Sequence, residues 1–125
     1  MKEAPLKKFL LELRKFSAYN PRWAILVEGK RDKSALESLG IDNVYALKGK
    51  PFHDAAEELS ENFEGVVLLT DLDKQGEAIF QKLQKLLPSY GLKVDGRFRE
   101  KLSSSGVKFV EKIPEEIKRR RDGTG

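Results

Sequence analysis

The sequence predicts an α/β fold, with a central, mostly parallel sheet of four to five strands in a three-layer α/β/α arrangement. Short apolar runs alternate with segments whose apolar residues recur at helical spacing, a pattern typical of parallel sheets covered by helices on both faces. The run Val66 to Leu69 is continuously apolar, as expected of a strand buried on both sides. With 125 residues, the chain has room for one domain.

The first half of the chain is predicted to contain two helices and two strands. Apolar residues at helical spacing indicate a first helix over about residues 4–18, and an apolar run indicates a buried strand at 23–27. Asp32 can cap a short helix, which Gly40 ends. Residues 43–47 then form a short strand.

The second half continues the alternation on either side of the central strand. Helical periodicity predicts one helix over residues 52–63 and another over residues 79–87. Short strands are expected at 92–94 and 107–110, with a short basic helix at 97–102 between them.

We expect a single domain over residues 1–125, in three consecutive parts. The N-terminal helix is followed by an α/β core over about residues 22–111 and by a basic C-terminal helix or tail over about 114–125. Pro114 opens this last helix, which runs into the basic residues 118–121.

Composition excludes several classes of protein and of site. The absence of cysteine excludes disulfides and thiolate metal sites, and one histidine argues against a histidine-rich zinc or iron centre. No apolar run is long enough to span a bilayer, and the N-terminus lacks a signal-peptide core. We therefore expect a cytoplasmic protein with no membrane partner. The net charge of +4 favours polyanionic partners only weakly.

Acidic residues follow two of the predicted strands. Glu28 ends the first strand, and Asp71 and Asp73 end the central one. The carboxyl ends of parallel strands are where open α/β sheets bind ligands. Because neighbouring carboxylates repel each other unless a positive charge joins them, this pattern predicts a hard divalent cation with oxygen ligands.

Basic residues and glycines surround these acids in the sequence. Gly29 and Gly76 would let a phosphate or a metal-bound water approach the backbone. A ring of basic side chains would border the site and bind phosphate: Lys30, Arg31, Lys33, Lys48, Lys50 and Lys74. Acids inside a basic border suit a phosphodiester held by lysines, with magnesium between it and the protein.

Two motifs in this order resemble the Toprim domain of primases, topoisomerases and ribosomal-RNA-maturing nucleases. The first is the strand that ends in Glu28-Gly29, and the second is Asp71-x-Asp73-x-x-Gly76 after a later strand. The resemblance spans nearly the whole predicted core and implies a Rossmann-like sheet. It is closest to small stand-alone Toprim proteins and to the Toprim part of the rRNA-maturing nucleases.

The resemblance implies a role for each of the three acids. Glu28 matches the family's acid/base glutamate, and Asp71 and Asp73 match its magnesium ligands, so the three carboxylates are expected to share Mg²⁺, or Mn²⁺ in its place. Gln75 stands where topoisomerases carry a further acid, which lowers the charge of the site. The implied partner is RNA or DNA, and a protein partner would supply substrate recognition.

Two functional alternatives and one structural alternative stay open at this stage. The chain could be a non-catalytic nucleic-acid-binding module of a larger complex, or a haloacid-dehalogenase-like phosphatase with Asp71 as nucleophile. The aspartates could also simply cap the following helix. Arg97, Arg99 and Lys101 suit either a nucleic-acid track or an exposed basic helix face.

Overall fold

The computed structural model describes the backbone of residues 5–124 and the side chains of residues 5–120. The helices are α1 (Pro5–Tyr19), α2 (Lys30–Ser38), α3 (Phe52–Asn62), α4 (Lys74–Leu86), α5 (Arg97–Ser104) and α6 (Ile113–Thr124). The strands are β1 (Trp23–Val27), β2 (Val44–Ala46), β3 (Gly65–Leu68) and β4 (Lys93–Asp95). Short 3-10 turns follow α4 and precede α6.

The strands form one four-stranded parallel sheet in the order β2-β1-β3-β4. The two most apolar strands, β1 and β3, are therefore the central pair, with Ile25 opposite Val67. Both strands are almost entirely buried, as their uninterrupted apolar sequences require. The predicted α/β fold with a parallel sheet of four to five strands is confirmed.

Helices cover both faces of the sheet and divide the core in two. Alternate strand residues point to opposite faces, so Ile25 and Val67 pack with α1, α2 and α5 on one face. Ala24 and Val66 pack with α3 and α4 on the other face. Within residues 5–124, no helix is both long and apolar enough to cross a membrane.

Two details of the predicted elements are wrong. The helix α2 begins at Lys30, before Asp32, and Asp32 caps it from the first turn by accepting the Gly29 backbone N–H at 2.9 Å. The predicted strand at 107–110 does not form. Its apolar residues Val107 and Val110 are buried, but the segment bonds to the loop after β3 instead of pairing with the sheet.

One tight contact in the central strand pair provides a test of this packing. Gly65 lies opposite Trp23, and a Cβ at Gly65 would collide with the Trp23 ring. We expect Gly65→Ala to lower the free energy of unfolding by about 1–3 kcal/mol, because overpacking displaces the ring. Urea unfolding followed by circular dichroism measures this. The double variant W23L/G65A should lose less than the two single variants together, and an unchanged G65A midpoint would contradict the packing.

Candidate functional site

The parallel pairing of β1 and β3 brings two of the predicted site residues into contact. Each acid follows its strand at the same edge of the sheet. The backbone N–H of Asp71 donates a hydrogen bond of 2.8 Å to Oε2 of Glu28. Residues 43 positions apart in sequence are thereby joined directly.

The two aspartates occupy different structural positions. Asp73 is the N-cap of α4, and its Oδ1 accepts the Gly76 N–H at 2.7 Å. Asp71 does not cap the helix. Its Oδ1 accepts the N–H of Val110 at 2.9 Å, from the segment before α6. The capping alternative is therefore correct for Asp73 alone.

Each of the three carboxylates uses one oxygen in these bonds. Among the described residues, the second oxygen of Glu28, Asp71 and Asp73 makes no hydrogen bond. Within residues 5–120, however, no three acidic or histidine side chains are grouped to hold a metal ion. Shared ligation by all three carboxylates therefore stays a prediction.

The donor chemistry of this edge nevertheless suits magnesium. Mg²⁺ prefers oxygen ligands, keeps several waters, and is usually held by one or two carboxylates together with substrate phosphates. A closed cage of protein ligands is not required for such a site. The available carboxylate oxygens fit that pattern.

Negative charge at this edge is poorly compensated. Burial, with smaller contributions from the nearby charges of Asp32, Glu28 and Asp73, raises the pKa of Asp71 to about 6 against the opposing Val110 hydrogen bond. Burial likewise raises the pKa of Glu28, with smaller contributions from Asp73 and Asp32. A bound cation would relieve both carboxylates.

Asp32 is a fourth acid that sequence reasoning treated only as a helix cap. It is 7% exposed, and its burial raises its own pKa. Its position in the first turn of α2 follows from the helix starting at Lys30. A prediction that started α2 at Lys30 would have placed Asp32 next to Glu28 and the site.

Arg99 anchors the loop that carries the aspartates. It is 8% exposed, and it donates to the backbone carbonyls of Thr70 at 3.1 Å and Asp71 at 2.7 Å. It also pairs with Glu77 at 2.6 Å, and its guanidinium lies 5.1 Å from the Phe80 ring centre. The guanidinium fork therefore fixes both the start of the loop and the first turn of α4.

The expectation of an exposed basic face on α5 is wrong for Arg99. Its neighbours there do face outward: Arg97 pairs with Asp95 at 2.8 Å and Lys101 pairs with Glu12 at 2.9 Å. A sequence signal was present, because Arg99 lies three residues before the buried Leu102 and thus on the same helix face.

Gly76 is required by close packing inside the same loop. A Cβ at this position would overlap the carbonyl oxygen of Asp71, and the Gly76 carbonyl accepts the Thr70 hydroxyl at 2.8 Å. The first turn of α4 is thereby packed against the loop. The Asp71-x-Asp73-x-x-Gly76 motif therefore requires glycine at position 76, because there is no room for a side chain.

One of the six cations in the predicted basic border already forms an ion pair within the described part of the chain. Lys50 pairs with Glu58 at 2.9 Å and lies 5.4 Å from the centre of the Tyr45 ring. Lys48 stays near the acids, because its N–H donates to the Glu28 carbonyl at 2.9 Å. In the described part of the chain, the other border cations make no ion pair: Lys30, Arg31, Lys33, Lys48 and Lys74.

Replacing Arg99 tests its anchoring of the loop. We expect Arg99→Lys to lower the free energy of unfolding by about 2–3 kcal/mol, because one ammonium cannot reach both carbonyls and Glu77. Urea unfolding followed by the fluorescence of the single tryptophan, Trp23, measures this. Arg97→Lys on the same helix is the matched control and should change stability little. Equal effects of the two variants would contradict the anchoring.

The raised pKa of Asp71 predicts a specific pH dependence. A carboxyl that titrates at about 6 when folded, against 3.8 ordinarily, binds its proton more tightly in the folded state. Its contribution to stability is therefore lost as pH rises through this window. In metal-free buffer, we expect Asp71→Asn to be more stable than the unmodified chain by about 1–2 kcal/mol near pH 7.5, a figure discounted for partial exposure.

The same comparison at about pH 4 should show little difference, because Asp71 is then protonated. Asp42→Asn, at an exposed aspartate, is the matched control and should show no such pH-dependent gain. Urea midpoints across this range measure both variants. A D71N gain that is constant with pH would rule out the charge as its cause.

Comparison with known proteins identifies the family. Residues 23–100 match the family model of the Toprim domain. The UPF0292 protein PH1700 of Pyrococcus horikoshii is 38% identical over 91 residues, which cover 72% of this chain and 68% of that protein. A UPF0292 protein of Methanosarcina acetivorans is 30% identical over 124 residues, covering 96% of this chain and 85% of the relative.

Two solved structures from Aquifex aeolicus are also similar. One protein superimposes with a TM-score of 0.77 at 42% identity, covering 86% of this chain and 96% of the other. The zinc-binding and RNA polymerase domains of the primase superimpose with a TM-score of 0.55 at 28% identity, covering 90% of this chain and 28% of the primase chain. The chain therefore belongs to the Toprim domain family, and it is similar over most of its length to the small UPF0292 proteins.

Proposed function

We propose that this protein is a Mg²⁺-dependent enzyme that cleaves or transfers a phosphodiester bond in RNA or DNA. The observation that carries the proposal is the hydrogen bond between the Glu28 carboxylate and the backbone of Asp71, at the carboxyl ends of β1 and β3. It unites an acid/base candidate with a metal-ligand candidate at the ends of two paired strands. The Toprim match and the primase neighbour support nucleic acid as the substrate class.

Glu28 would move the proton in this reaction. Its Oε2 is occupied by the Asp71 N–H, so Oε1 is the atom left to hold a proton and deliver it to the leaving oxygen. Burial raises its pKa, which brings the carboxyl closer to the range in which it can act as an acid near neutral pH.

Asp71 and Asp73 would hold the metal through their remaining oxygens, and Glu28 would lie beside it. When bound, Mg²⁺, or Mn²⁺ in its place, supplies positive charge that stabilises the phosphate oxygens. Gln75 gives the site one acid fewer than topoisomerases have. Metal binding should therefore be weak without nucleic acid and stronger with it.

The free border cations would bind phosphates on either side of the reacting one. Lys30 and Lys74 are exposed, make no ion pair in the described part of the chain, and follow the same strands as the acids. Lys48 is likewise exposed and follows β2, and its N–H donates to the Glu28 carbonyl. Gly29 and Gly76 allow close backbone approach there. Such contacts position a nucleic acid without reading its sequence.

A non-catalytic nucleic-acid-binding module is the second candidate. The observation that favours it is that no group of three metal ligands is assembled among residues 5–120. In that case the same edge would bind phosphates within a larger complex, and a protein partner would supply specificity. The phosphatase alternative is not favoured, because residues 23–100, which include Asp71, match the Toprim domain. The cysteine-free composition suits either role in the cytoplasm.

Glu28→Gln separates catalysis from binding. The amide oxygen of glutamine can still accept the Asp71 N–H, so we expect the fold and strand binding to persist. Loss of the proton carrier should lower the cleavage rate by about 10²–10⁴-fold. The measurement is cleavage of labelled structured RNA, single-stranded RNA and nicked DNA with Mg²⁺.

Glu37→Gln, at an exposed position on α2, the helix that follows Glu28, is the matched control and should cleave normally. Unchanged cleavage by E28Q would exclude the acid/base role. Mg²⁺-dependent binding without turnover of any substrate by the unmodified chain would replace the enzyme with the binding module.

A further inference from the structure

One exposed aromatic residue lies beside the acidic edge and has no role in the chemistry above. Phe109 is 41% exposed, whereas the other six phenylalanines of the chain are buried or half-buried. A phenyl ring exposed to this extent gains less from packing than the buried rings do. If the backbone around Phe109 is fixed, the position of the ring relative to the acids can indicate a binding role.

The backbone on both sides of Phe109 is bonded to the loop that carries the aspartates. The carbonyl of Lys108 accepts the N–H of Leu72 at 2.7 Å, and the N–H of Val110 donates to Asp71 Oδ1 at 2.9 Å. The Phe109 carbonyl also accepts the Lys112 N–H at 3.0 Å. These bonds fix the main chain of Phe109 relative to Asp71.

The short bond to Asp71 limits how far the aromatic residue lies from the site. With 2.9 Å from Asp71 Oδ1 to the Val110 nitrogen, the Phe109 Cα lies within about 5–6 Å of that oxygen. This is comparable with the distance between a nucleotide's phosphate and its own base. Val110 is buried and the backbone at Phe109 is extended, so the ring points away from the core.

The residue directly before Phe109 is a cation, which favours a polyanion. Lys108 is exposed and makes no ion pair in the described part of the chain. A surface hollow is lined by Arg31, which also makes no ion pair in that part of the chain, by Lys112, and by the acids Glu111 and Glu115. Lys112 is partly neutralised by Glu115 at 3.3 Å. An aromatic ring next to a free cation is a combination by which proteins bind single strands.

We propose that Phe109 stacks against an unpaired base of a single-stranded nucleic acid whose phosphate lies at the Glu28–Asp71 edge. The substrate class is therefore a single strand, an overhang or a frayed end, because a base held in a duplex cannot present its face to the ring. This inference rests on the nucleic-acid binding proposed above. It does not depend on cleavage or on the acid/base role of Glu28.

The experiment combines a protein change with a substrate change. Affinities of the unmodified chain and of Phe109→Ala are measured by fluorescence anisotropy with short labelled strands of RNA and of DNA. Each strand is also used with abasic sites and annealed to its complement. Mg²⁺ is included and E28Q is used as the parent chain, so that cleavage cannot distort the binding curves.

We expect F109A to bind the intact single strand roughly 5- to 20-fold more weakly. It should bind the abasic strand and the duplex as the parent does, because neither offers a free base. Phe109→Trp should retain or exceed the parent affinity. Tyr19→Ala is the matched control: Tyr19 is 75% exposed, but it precedes β1 and lies towards the opposite end of the sheet.

Several results would overturn the proposal. Equal weakening of F109A on intact and abasic strands would assign the effect to the backbone or to charge. Unchanged affinity would show that the ring makes no contact with a base. A change in oligomeric state on gel filtration, without loss of strand affinity, would identify Phe109 as a protein interface. If E28Q fails to cleave while F109A binds every strand as its parent does, the stacking proposal is wrong but the proposed enzymatic function stands.

Discussion

The hydrogen bond from the Asp71 backbone to the Glu28 carboxylate is the interaction on which the site depends. It forms because β1 and β3 are adjacent and parallel, so that their carboxyl ends meet at one edge. A shift of one residue in this pairing would turn each side chain to the other face of its strand. The buried apolar residues of both strands therefore determine the position of the acids as well as the core.

Within residues 5–120, the fold brings carboxylates together at the carboxyl ends of β1 and β3 without placing a neutralising cation beside them. Arg99 is the buried cation nearest to the aspartates, yet its donors are directed at two backbone carbonyls and at Glu77. It shapes the loop and leaves the Glu28 and Asp71 carboxylates electrostatically unsatisfied, as their raised pKa values indicate. Such local instability is common where a protein keeps a site ready for a ligand of opposite charge.

Sequence periodicity was sufficient to predict the sheet and the acids at its edge, because burial on two faces leaves continuous apolar runs. It failed at residues 107–110, where apolar residues also predominate but the backbone partners are Leu72 and Asp71 instead of a neighbouring strand. Arg99 was misjudged because charge usually indicates exposure, whereas buried carbonyls can hold a guanidinium inside. Neither partner is visible in local sequence, since both contacts join residues far apart in the chain.

The contact between Val110 and Asp71 also affects how this chain can be shortened. The family match ends at residue 100, yet Val107, Val110 and Ile113 complete the core beside α1 and α2. A fragment cut at the matched boundary would expose that apolar surface and leave the Leu72 N–H and the Asp71 carboxylate without their partners. The smallest piece suitable for expression and crystallisation therefore extends past the recognised motif, at least through the start of α6.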